Sequence, residues 1–94
     1  MVVAVGNSED GTRGLIESIR SVKIMIIDTV WDDNLRTGGK VLAVETDKAF
    51  DAISSDSDWA FYIQGDEVVH EKYLTAISNG MEKWKNHPEI EGLL

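Results

Sequence analysis

The chain has 94 residues, nine basic against seventeen acidic, a formal charge of -8 and no cysteine. That length allows one small domain burying roughly 60 to 68% of its unfolded surface. The acidic excess repels nucleic-acid phosphates and anionic lipid, which argues against a nucleic-acid partner, and the lack of cysteine removes disulfides, thiolate metal sites and thiol nucleophiles. No apolar run nears the roughly 20 residues of a membrane span, and no basic start leads into a long apolar segment, so the sequence reads as soluble and cytoplasmic.

Val2-Val3-Ala4-Val5 is a short buried-strand signal, broken by Gly6-Asn7-Ser8. Asp10-Gly11-Thr12 opens a helix with Leu15, Ile16 and Ile19 on one face. Val22 to Asp28 predicts a second, Ile-rich strand. Turn residues follow in Trp31-Asp32-Asp33-Asn34 and Thr37-Gly38-Gly39, and a helix is expected from about Lys40 to Ile53. Trp59-Ala60-Phe61-Tyr62-Ile63 predicts a third strand, apolar on both faces, and a last helix from about Glu71 to Lys85 turns Tyr73, Leu74, Ile77, Met81 and Trp84 inward before Pro88. Strands alternating with helices predict an α/β fold with a parallel, helix-covered sheet. The final Glu91-Gly92-Leu93-Leu94 reads as another strand beginning, so the chain is expected to be an excised piece.

The sharpest feature is the junction where the third apolar run stops at Gln64-Gly65-Asp66-Glu67. Gly65 permits a tight turn there, and ligands of open α/β sheets sit outside the carboxyl ends of the strands, so Asp66 and Glu67 are candidates for metal or substrate contact. Equally, both acids suit the positive end of the helix that follows. Lys40, at a helix start, is placed to meet a phosphate. The plainer alternatives are that Gly6 to Ser8 make a turn, that Asp10 or Thr12 caps a helix, and that Lys40, Asp32 and Asp33 are solvated. Glu67-x-x-His70 has the spacing of half a carboxylate-bridged di-metal site, but no second copy exists, and His70 more simply caps the last helix or lies near the pocket.

The order of strand, VGNSEDGT, helix, strand, WDDN, Gly-Gly-Lys helix and DWAFYIQGDE resembles the nucleotide-sugar half of a family 2 inverting glycosyltransferase with the GT-A fold. Val5 through Thr12 resembles that family's V-D-D-G-S-T-D-G-T turn with one residue missing, best at Ser8, Asp10, Gly11 and Thr12. Gln64-Gly65-Asp66 resembles its metal-binding D-x-D, with Glu67 in the acidic position often found next, and Lys40 stands where a basic residue often does. The resemblance implies a three-layer, Rossmann-like, mostly parallel sheet, present only in part. It implies donor contacts from Asn7, Asp10, Lys40 and Gln64, and a divalent manganese or magnesium ion on Asp66 with Glu67. Gln64 departs from the family's first acid and supplies no charge to a metal.

On this reading the chain is a piece of an enzyme moving a sugar from a nucleotide-sugar to an unknown acceptor, its catalytic base lies outside these residues, and the piece alone is inactive. Two other classes compete. One is a non-catalytic binding or assembly module that kept the fold and lost the metal site. The other is a phospho-receiver with Asp28 and Asp32 in its metal pocket, which the Gly-Asn-Ser after the first strand disfavours. Apolar strand edges left open in a partial sheet further predict a homodimer.

Overall fold

The computed structural model describes residues 1–93. Among these the structure is mixed α/β, with three α-helices and one two-stranded parallel sheet, and the chain divides into two units, Met1–Ser55 and Asp56–Leu94.

In the first unit β1 (Val2–Val5) lies parallel to β2 (Met25–Asp28), with Val2 opposite Met25 and Val5 opposite Asp28. Parallel strands need a crossover, and α1 (Thr12–Ser18) lies within it. After β2 come two 3-10 turns, Asp33–Leu35 and Thr37–Gly39, and then α2 (Lys40–Asp51). Gly38 and Gly39 take φ of 68° and 73°, left-handed values that strain a residue with a β-carbon, and this pair swings the chain into α2. That helix packs on β1, and Val5 and Val41, each 5% exposed, are the buried apolar residues of the described chain. Each such side chain contributes roughly 1.5–3 kcal/mol, so this core is small.

The second unit holds a 3-10 turn at Glu71–Tyr73 running into α3 (Leu74–Trp84). Ile77, Met81 and Trp84 recur at helical spacing and are half-buried, as their periodicity predicts, whereas Tyr73 and Leu74 are exposed.

Four expectations need correction. Trp59–Ile63 is not a strand but irregular chain, and Phe61, Tyr62 and Ile63 are exposed. High β-propensity makes a strand only where a partner supplies the ladder, and no described strand pairs with this segment. The second strand starts at Met25 rather than Val22, because Ser21 closes a turn: its carbonyl accepts from the Ile24 N–H at 3.2 Å and its hydroxyl oxygen from the Lys23 N–H at 3.2 Å. The Leu15 and Ile19 face of α1 is open to solvent rather than packed inward. Finally, the tight turn at Gly65 does form, closed by the Glu67 N–H on the Gln64 carbonyl at 3.0 Å, but it does not depend on glycine, since Gly65 lacks a left-handed φ and a β-carbon there would meet nothing within 4 Å. No described helix is long and apolar enough to cross a membrane.

Candidate functional site

The carboxyl ends of β1 and β2 form the better-built of the two candidate regions. The Val5 carbonyl accepts from the Thr29 N–H at 2.9 Å and from its hydroxyl at 3.3 Å, which carries the parallel pairing one residue past the strands. Gly6 follows beneath Trp31: a β-carbon at position 6 would stand 2.7 Å from Nε1 and 3.0 Å from Cδ1 of that indole. The Asn7 Oδ1 accepts from the Trp31 N–H at 3.5 Å, a long bond that leaves the Asn7 NH2 facing no described partner. One aromatic plane and one amide donor therefore meet at the carboxyl edge, where open α/β sheets bind ligands. Ser8 closes the turn, giving both its N–H (2.7 Å) and its hydroxyl (3.3 Å) to the Gly6 carbonyl.

The structure gives Asp10 a local task. Its Oδ1 accepts from the Thr12 hydroxyl at 2.5 Å and the Thr12 N–H at 3.1 Å, and these bonds hold its carboxyl below the ordinary aspartate range. Lys40 is the exposed first residue of α2, preceded by Gly39, which offers no side-chain cap, so the amino end of α2 and the Lys40 ammonium present positive charge together.

Gln64, Asp66 and Glu67 belong to the second unit. The Glu67 N–H donates to the Gln64 carbonyl at 3.0 Å, and the Glu67 Oε2 accepts from the Gln64 N–H at 2.8 Å. The Glu67 carboxylate thus closes its own turn, and Asp66 is exposed beside it. Among the described residues no group of three His, Cys, Asp or Glu side chains is gathered closely enough to hold a metal. Gln64 is neutral and the Glu67 carboxylate is engaged in its own turn, so Asp66 is the carboxylate of this set left to meet a cation.

Several other candidates resolve into structure. Asp32 accepts from the Asn34 N–H at 2.9 Å and caps the first 3-10 turn, while Asp33 pairs with Arg36 at 2.7 Å. His70 caps the turn before α3, its Nδ1 accepting from the Lys72 N–H at 3.1 Å. His87 is exposed, with Nδ1 2.9 Å from Glu89 Oε1.

Two polar clusters escaped the reading by motif. Arg13 on α1 reaches Asp28 at the end of β2 through Nε (2.5 Å) and Nη2 (2.9 Å), and its Nη1 also meets Glu17. The Arg13/Glu17 spacing was visible in the sequence; the Asp28 contact depends on the crossover. Glu45, on α2, is 8% exposed, with Lys48 Nζ 2.6 Å from Oε1 and no partner on the buried Oε2. A single Glu in an amphipathic helix gives no sign that it points inward.

Compared with known proteins, the chain matches no family model, no curated protein and no solved structure.

Proposed function

We propose that this chain is the donor-side part of an inverting sugar transferase of the family 2 type, and that the carboxyl edge of β1 and β2 receives the nucleoside of a nucleotide-sugar. The observation that carries the reading is the Gly6–Asn7–Trp31 arrangement, an indole packed over glycine with an amide beside it. A nucleobase stacked on Trp31 gains on the order of 1–3 kcal/mol, and the Asn7 NH2 donates to a base-edge acceptor. Lys40 and the amino end of α2 supply positive charge for the diphosphate. The three-layer, partly present Rossmann-like sheet belongs to the same proposal.

In the intact enzyme an acceptor hydroxyl oxygen attacks the anomeric carbon as the bond to the diphosphate oxygen breaks, and a general base takes the hydroxyl proton. That base lies outside these residues, so the 94-residue chain transfers no sugar. Its own residues bind and orient the donor. Asp66 would hold a divalent cation, which would supply charge neutralisation for the departing diphosphate.

The test is an NMR titration of the chain with uridine, guanosine, adenosine, cytidine and thymidine diphosphates, each with and without magnesium. The proposal expects at least one nucleotide to shift the Gly6, Asn7 and Trp31 amides and Asn7→Ala to weaken that binding about tenfold, the loss of one good hydrogen bond. Silence from all five overturns it. If magnesium strengthens binding and Asp66→Ala abolishes the gain, Asp66 holds the metal; if Asp66→Ala changes nothing, that role is withdrawn.

The neutral Gln64 and the engaged Glu67 favour one second reading, a non-catalytic binding module. It expects nucleotide binding, where present, to be indifferent to magnesium.

A further inference from the structure

We infer that Asn7 selects nucleobases that present a carbonyl, uracil, thymine or guanine, over those that present an amino group, cytosine or adenine, because the Trp31 backbone fixes which end of its amide a ligand meets. The inference rests on the nucleotide-binding reading above and names the class of base that the site takes.

The parallel ladder sets the orientation. The Met25 N–H donates to the Met1 carbonyl at 2.8 Å, and further along the same two segments the Thr29 N–H donates to the Val5 carbonyl at 2.9 Å. Two residues on, the same offset pairs Trp31 with Asn7, and there the acceptor of the Trp31 N–H is the side-chain Oδ1, at 3.5 Å. The amide oxygen thus stands in for the main-chain carbonyl of the next rung. A backbone N–H only donates, so the end of the amide that faces it is the oxygen, and the NH2 is turned away.

This orientation decides what Asn7 can read. An unrestrained asparagine recognises adenine with both ends, its oxygen accepting from the N6 amino group and its NH2 donating to N7. Held by Trp31, Asn7 offers the donor end alone. The O4 of uracil or thymine and the O6 of guanine accept from it, whereas the amino groups of cytosine and adenine set donor against donor. The neighbouring carbonyls offer such an amino group no acceptor either. Val5 takes two hydrogen bonds from Thr29, and Gly6 takes two from Ser8, which occupies both lone pairs of each oxygen. A misplaced amino group would therefore leave two donors unpaired, the kind of mismatch that a hydrogen-bonding site rejects most strongly.

Isothermal titration with two pairs of nucleotides tests this: uridine against cytidine diphosphate, and guanosine against adenosine diphosphate. Within each pair the carbonyl-bearing nucleotide is expected to bind about tenfold tighter or more, the discrimination of one good base contact. Asn7→Asp keeps an oxygen for the Trp31 N–H and replaces the NH2 with a second acceptor, so it is expected to erase or invert both preferences. Its added charge weakens all four nucleotides alike, and the ratios report the hydrogen bond. The Val5 and Thr29 amide shifts of the variant check that the sheet is retained. Equal affinity within either pair in the unmodified chain overturns the inference and leaves the nucleotide site standing. A carbonyl preference that survives Asn7→Asp overturns Asn7 as its source. Silence from all four nucleotides overturns both this inference and the reading beneath it.

Discussion

The Trp31 indole lies in the space that a β-carbon at position 6 would need, with Nε1 2.7 Å and Cδ1 3.0 Å from where that carbon would stand. Two segments far apart in the chain, one leaving β1 and the other following β2, are thereby fitted together by the absence of a side chain. Trp31 is itself exposed enough to present a face to a ligand.

Gly6→Ala therefore forces the indole aside. Because Trp31 can swing outward, the expected cost is about 1 kcal/mol, the lower end of the range for over-packing. In a Trp31→Ala background the same change is expected to cost nothing, since the clash is with the indole alone. Denaturant unfolding of the four chains of this cycle measures it; an equal cost in both backgrounds would mean that the alanine collides with something else.

Much of the first unit was legible because its signals are local. Val2–Val5 has no competing helical period, and Gly38-Gly39 announces the start of α2 through a backbone that other residues avoid. Trp59–Ile63 misleads for the opposite reason: its side chains favour a strand, but strand formation is a property of pairs, and the partner is not written in the segment itself. The candidate site divides along the same line. Asn7 is legible as a polar residue that follows a strand, and the turn and capping bonds of Asp32 and His70 are ones that their residue types announce. The contact of Trp31 with Gly6, that of Arg13 with Asp28 and the burial of Glu45 depend on how the crossover and α2 settle on the sheet, which no short window encodes.

The Arg13 guanidinium holds the Asp28 carboxyl below the ordinary aspartate range, and Arg13 is itself raised by Asp28 and then Glu17. With its folded pKa depressed, Asp28 stabilises the fold at neutral pH and loses that contribution as the pH falls through the folded value. Arg13→Gln is expected to return Asp28 toward ordinary titration and to flatten this acid dependence. Both groups face solvent, so added salt reduces the effect. An NMR titration of the Asp28 side-chain carboxyl carbon, with and without Arg13→Gln, checks it; ordinary titration in the unmodified chain would mean that the pair does not hold in solution.

Glu45 presents the sharper electrostatic problem. Burial works to raise its carboxyl, but the hydrogen bond and charge of the Lys48 ammonium work against burial, and the group lies below the ordinary glutamate range. The Thr29 hydroxyl donates its one proton to the Val5 carbonyl at 3.3 Å, and Glu45 Oε2 is buried without a partner. A buried pair satisfied on one side only adds little net stability, and an apolar side chain of similar volume does as well or better. Glu45→Leu is accordingly expected to be neutral or to stabilise by up to about 1 kcal/mol. Lys48→Ala strands the carboxylate and is expected to destabilise by about 1 kcal/mol, a figure kept low because the Lys48 side chain is partly screened by solvent. The depressed carboxyl adds a pH signature: the unmodified chain loses stability as the pH falls through the folded Glu45 pKa, and Glu45→Leu lacks that portion of the loss. Urea unfolding of the three chains at neutral and at acid pH measures both effects. A strong destabilisation by Glu45→Leu at neutral pH would show instead that the carboxylate is fully satisfied and helps to hold α2 on the sheet.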